Sequence, residues 1–218
     1  MESRTDPHAA QPVGQWGAPL GESAAAMILV HGRNAAPRNI LDVAVVLDRP
    51  AFTHLAPAAA GTTWYPYSFM ADTSTNEPGL SSALAMLKDL VDRVAAHGVR
   101  HRHIILLGFS QGACLAAEFA VRNATRYGGV VAYSGGLIGP PGTTWEYPGS
   151  FDGTPVFLGC SDIDSHVPLE RVEESAAVFE RMGAAVEKRI YPGMGHLVNE
   201  DEIAYVQTLM DDVVEAAT

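Results

Sequence analysis

The sequence predicts a single α/β domain, a mostly parallel sheet with helices on both faces. Three observations predict it. Short apolar runs at residues 27–30, 104–107 and 156–158 alternate with segments whose apolar residues recur at helical spacing. Such uninterrupted runs suit strands buried on both faces, as in a parallel sheet. A chain of 218 residues with 47% hydrophobic and 18% charged residues is globular and sized for one core.

Residues 1–12 are polar and contain proline, so a frayed segment is expected over 1–20, with a short edge strand at Gln15-Trp16. The domain itself is expected over 21–218. Residues 27–30 form its first buried strand, followed by a short amphipathic helix through Ile40, Leu41, Ala44 and Val45. His54-Leu55-Ala56-Pro57 closes another strand. The loop over 58–79 carries Trp64, Tyr65, Tyr67, Phe69 and Met70, and its length and aromatic content read as a substrate wall. Leu80, Leu84, Leu87, Val91 and Val94 mark a helix stopped at His97-Gly98.

A buried strand from Arg102 leads into the next helix, and a further strand covers 129–134. A Gly/Pro-rich loop follows over 135–153, then a strand over 154–159. Leu169, Val172, Ala176 and Phe179 give the stripe of a helix ending near Gly183, and 187–191 is the last strand. In the final helix Asn199 serves as cap, Glu200, Asp201 and Glu202 suit the positive first turn, and Ile203, Val206, Met210 and Val213 face the core.

Charge narrows the partners. A formal net charge of −11 argues against nucleic acid or an anionic membrane surface. The longest early apolar run, 24–30, follows Glu22 rather than a basic region. Neither a signal peptide nor stable membrane insertion is therefore expected, and a cytoplasmic location is the default. Cys114 and Cys160 lie in apolar stretches and read as buried free thiols. His101 and His103 have metal-like spacing but lack a third ligand nearby, so no metal is expected. The acidic group Glu170, Glu173 and Glu174 reads as a solvated helix face.

The chemistry centres on Gly108-Phe109-Ser110-Gln111-Gly112, a G-x-S-x-G turn between the strand Ile104-Ile105-Leu106-Leu107 and an alanine-rich helix. The bare pattern is unspecific; the strand before it and the helix after it give it weight. Such a turn holds the serine in a strained conformation with its hydroxyl exposed, and the glycines allow strand and helix to approach closely. Serine needs a base, and the base an acid to orient it. In a strand-to-helix elbow of this kind the order is serine, acid, histidine. Of the two downstream histidines, His166 leaves no natural place for the acid. His196, in a loop between the last strand and the final helix, is the expected base.

The acid is expected in the turn after 156–159, where spacing leaves Asp162 and Asp164 both open. Backbone N–H groups of Gln111 and Arg33, with Asn34 as neighbour to the latter, are the expected oxyanion donors. His31 reads as structural. Trp64, Tyr65, Phe69, Met70, Leu137, Ile138 and Met194 are the apolar residues expected to border the cleft.

Val30-His31-Gly32-Arg33, the elbow pentapeptide, Asp164-Ser165-His166-Val167-Pro168 and Gly193-Met194-Gly195-His196 together resemble the phospholipase/carboxylesterase family of α/β-hydrolases, in family order over residues 27–210. That family includes small carboxylesterases and acyl-protein thioesterases. The resemblance implies that the acid is Asp164, preceding the x-x-Val-Pro step. It further implies that Ser110, Asp164 and His196 hydrolyse carboxylic esters without metal or organic cofactor. Two departures stand out. Asn34 replaces a frequent glycine in the oxyanion loop, and serine as nucleophile separates the chain from the related dienelactone hydrolases.

With no segment long enough for a helical lid, an open cleft taking small-molecule esters of short to medium acyl chain is expected. Thioester or lysophospholipid hydrolysis by the same triad is the alternative, and a non-catalytic ligand-binding protein is a weaker one. The oligomeric state stays open, a homodimer among the options.

Overall fold

A computed structural model describes residues 6–217. Seven strands form one sheet: β1 (Val13–Gly17), β2 (Ala25–Val30), β3 (Phe52–Pro57), β4 (Ile104–Phe109), β5 (Gly129–Tyr133), β6 (Pro155–Ser161) and β7 (Ala185–Tyr191). Their spatial order is β1-β3-β2-β4-β5-β6-β7, and only the β1–β3 pairing is antiparallel. Every residue of β2 is buried, as is all of β4 up to Phe109. Their unbroken apolar runs therefore reflect a sheet covered on both sides.

Five helices do the covering: α1 (Pro37–Leu47), α2 (Gly79–Ala96), α3 (Gln111–Arg122), α4 (Leu169–Arg181) and α5 (Glu200–Glu215). Alternate residues of each strand enter two separate clusters. Ile28, Leu106 and Val130 pack with α2, α3 and α4. Met27, Leu107 and Val131 pack with α1 and α5. Local chemistry marks the helix ends. Pro37 opens α1, where its missing N–H costs nothing, and Asp48 closes it in a left-handed conformation. Asn199 and Glu202 form a reciprocal capping box on α5.

The long loop from β3 to α2 and the connection from β5 to β6 contain no α-helix among the described residues. The chain leaves β2 toward β3 on one side of the sheet order and reaches β4 on the other, and crevices at such switch points hold ligands.

Two local features differ from expectation. The amino-terminal segment is tied down from Asp6 on, residues 1–5 lying outside the described residues. His8 is buried, donating from Nε2 to Trp64 O (3.0 Å) and accepting the Ala60 N–H at Nδ1 (3.0 Å). One histidine with both ring nitrogens satisfied anchors a stretch whose average composition reads as loose. The strand expected from Arg102 begins instead at Ile104, because residues His101–His103 form a single 3-10 turn.

Candidate active site

Three loops at the carboxyl ends of β4, β6 and β7 bring Ser110, Asp164 and His196 together. Ser110 sits at φ 56°, ψ −122°, a conformation non-glycine residues avoid. Its neighbours enforce it. A Cβ at Gly108 would overlap the Gly112 backbone, and one at Gly112 would overlap the carbonyls of Val30 and His31. The Ser110 N–H donates to Tyr133 O at 2.9 Å, fixing the elbow to β5.

Asp164 Oδ2 lies 2.7 Å from His196 Nδ1, and His196 Nε2 lies 2.8 Å from Ser110 Oγ. With its proton on Nδ1, the imidazole donates to the carboxylate and turns a lone pair toward the serine hydroxyl. The Asp164 side chain is wholly buried, whereas His196 retains 20% exposure and so faces the cleft. Burial alone would raise the Asp164 pKa. Hydrogen bonds from His196 and from the backbone N–H groups of His166 (2.8 Å) and Val167 (3.1 Å) overcome it and hold the carboxyl below its ordinary value.

Asp162, the alternative left open by spacing, takes the Gly193 N–H at 2.8 Å instead. Ser161 Oγ takes the Gly195 N–H at 3.0 Å. The β6 turn thus orients the imidazole with one residue and ties its loop with two others.

Gln111 heads α3, where its N–H has no acceptor within the helix. Gly32 runs beside the hydroxyl, since a Cβ there would come within 3.4 Å of Ser110 Cβ, and Arg33 follows it. Asn34 N–H is committed to Thr62 O at 2.8 Å, so of the two neighbours Arg33 has the available amide. His31 is buried and structural, bonded through Nδ1 to Gly32 O and through Nε2 to Ala59 N–H.

The cleft encloses about 790 Å³ and draws on both sides of the sheet. Tyr65, Phe69 and Cys114 line it from one side, and Ile40 and Val43 of α1 with Val198 line it from the other. Of the expected wall residues, Tyr65 and Phe69 take their places there, whereas Ile138 is buried in the core. Trp64 and Leu137 are fully buried in the core, and Met70 packs against that core. Met194 Sδ faces the Asn199 side-chain amide at 3.0 Å rather than the cleft. Apolar character does not distinguish a cleft wall from the packing behind it.

Two supports of the site leave no mark in the sequence. The Arg33 guanidinium donates to the carbonyls of Tyr65 (2.9 Å), Pro66 (2.8 Å) and Tyr67 (2.7 Å), clamping the aromatic loop. The Gln111 side chain accepts the Trp64 N–H (3.0 Å) and donates to Tyr65 O (2.8 Å). Both partners are backbone atoms about 30 or more residues away, so no local signal reveals them.

The comparisons agree with this architecture. A structure of a phospholipase/carboxylesterase from Dyadobacter fermentans superposes with a TM-score of 0.89 at 38% identity, covering 96% of this chain and 98% of that one. The esterase PE8 gives a TM-score of 0.76 at 23% identity, over 93% and 99% of the two chains. Acyl-protein thioesterase 1 of Eremothecium gossypii is 27% identical over 163 residues, 70% of this chain and 68% of that protein. A probable carboxylesterase, SOBER1-like, of Arabidopsis thaliana is 22% identical over 148 residues, which span 68% of this chain but only 56% of that relative. The family model described as Phospholipase/Carboxylesterase matches residues 19–213. Matched over almost its whole length, the chain belongs to the phospholipase/carboxylesterase family of α/β-hydrolases.

Proposed function

We propose that the chain is a serine carboxylesterase acting on small esters of short to medium acyl chain. The observation that carries this reading is the continuous hydrogen-bonded path from Asp164 through His196 to Ser110 Oγ, with both links under 3 Å. His196 takes the Ser110 proton as Oγ attacks the ester carbonyl, and Asp164 stabilises the imidazolium. The amides of Gln111 and Arg33 receive the negative charge that develops on the carbonyl oxygen. His196 then protonates the leaving alcohol, and water, activated by the same imidazole, releases the acid and restores Ser110.

An open cleft of about 790 Å³ with apolar lining from both sides of the sheet favours small, soluble esters over aggregated lipid. Among the described residues no helix is long and apolar enough to cross a membrane. The relatives named as acyl-protein thioesterases give a second reading, thioester hydrolysis by the same groups.

The test is turnover of a chain-length series of p-nitrophenyl esters and matched thioesters by the parent and Ser110→Ala. The expected result is activity greatest at short to medium chains and lost in the variant. Retained turnover in Ser110→Ala, or activity that is absent on short esters and appears only on emulsified long-chain fats, would reject the reading.

A further inference from the structure

The carboxyl of Glu202 takes no part in the chemistry above, yet it is wholly buried beneath the site. It lies on the first turn of α5, immediately after the loop that carries His196. Its Oε2 accepts the Asn199 N–H at 2.9 Å, and Asn199 Oδ1 in turn accepts the Glu202 N–H at 3.0 Å. The Asn199 side chain also reaches back to Met194, so both flanks of His196 converge on this cap.

Glu202 also touches two further elements of the site, β6 through its carboxyl and β5 through its main-chain carbonyl. Among the described residues Oε1 has no hydrogen-bond partner, and it lies against Gly159, where a Cβ would overlap it. Gly159 belongs to β6, whose end leads into the Asp164 turn. The Tyr133 hydroxyl donates to the Glu202 carbonyl at 3.2 Å, and the Tyr133 carbonyl in turn accepts the Ser110 N–H. One residue thus bears on the loops of nucleophile, acid and base.

We propose that Glu202 is a positioning residue for the Ser110, Asp164 and His196 assembly, holding the base loop against the end of β6. The inference rests on the esterase reading above. A cap alone explains the Oε2 bond, but any exposed carboxyl at this helix position would supply it. Complete burial against a glycine, with one oxygen unpaired, is costly and is not needed for capping. Burial pushes the Glu202 carboxyl up to about 7 despite the Asn199 N–H, with Asp201 adding to the rise. The other ionisable groups it faces are Tyr133 and Tyr191, which supply no positive charge. Burial favours the neutral acid, and glutamine is its close uncharged substitute.

Steady-state hydrolysis of p-nitrophenyl butyrate by the parent, Glu202→Ala and Glu202→Gln tests this, with Tm confirming folding. Alanine is expected to lower kcat about 10-fold or more while KM stays within about 2-fold, because displaced reacting groups slow chemistry more than binding. Glutamine is expected to restore kcat to within about 3-fold of the parent. If alanine does not fold, Asn199→Ala severs the same cap and is expected to show the same loss in kcat. A folded alanine variant with parental kcat, or a loss confined to KM, would overturn the proposal. So would a glutamine variant as slow as alanine. An inactive parent on every ester tried would instead count against the esterase reading.

Discussion

Ser110 and His196 meet at 2.8 Å, but they are held there by opposite means. Ser110 is fixed by backbone. Its strained dihedrals are imposed by β4, by α3 and by the close passage of Val30 past Gly112. His196 is fixed by side chains. Its loop carries Gly193 and Gly195 at positive φ, and it is tethered by Asp162, Ser161, Asn199 and the Asp164 carboxylate. The difference teaches that the elbow depends on space, which one atom can destroy, whereas the His196 loop depends on several separable bonds. Errors at the first should cost the fold, and errors at the second should cost only rate.

The largest expected effect follows from the first half of that contrast. Gly112→Ala places a methyl group against two main-chain carbonyls that cannot swing away. A loss of about 3 kcal/mol or more is expected, read as a sharp fall in Tm and in soluble yield. Normal Tm with normal activity would break the comparison at its root.

The two aspartates of one turn sharpen the second half. Asp164→Asn removes the charge behind the imidazole and is expected to lower kcat by about 10³ to 10⁴ while the domain stays folded. Asp162→Asn weakens only the tie to Gly193, and a loss of at most about 10-fold is expected. Kinetics of the pair on one ester decide the matter. Equal losses would mean that Asp162 does more than hold the loop.

The turn also shows where sequence legibility ended. The elbow was readable because strand, pentapeptide and helix are contiguous, and His196 because only two histidines follow Ser110. Between Asp162 and Asp164 spacing was silent, since both carboxylates face the same loop and differ only in which atom they meet. The sheet and its helices were readable for a related reason, as burial on both faces imprints apolar runs. The cleft wall was not. Trp64 and Phe69 are equally aromatic, yet one is sealed in the core and the other lines the cleft. Arg33 and Gln111 bond distant backbone carbonyls and Glu202 packs against Gly159, and such pairings exist only once the chain has folded. His8 makes the same point outside the site.

The smallest expected effect concerns pH. A Glu202 carboxyl raised to about 7 binds a proton in the folded state that the unfolded chain has already released. Its stabilising contribution is complete below the ordinary glutamate range and is lost as pH rises through about 7. Denaturant titrations from pH 5 to 8 should therefore show parental stability falling relative to Glu202→Gln. A constant difference across that range would remove the pH argument, and with it one support for reading Glu202 as a neutral acid.

Covalent labelling tests most directly whether His196 makes Ser110 nucleophilic. Parent, Ser110→Ala and His196→Ala would be exposed to a fluorophosphonate, with the adduct located by peptide mass spectrometry. A single rapid adduct on Ser110 is expected in the parent, none in Ser110→Ala, and labelling slowed by about 10³ or more in His196→Ala. An adduct on another residue, or equal labelling rates with and without the imidazole, would contradict that activation.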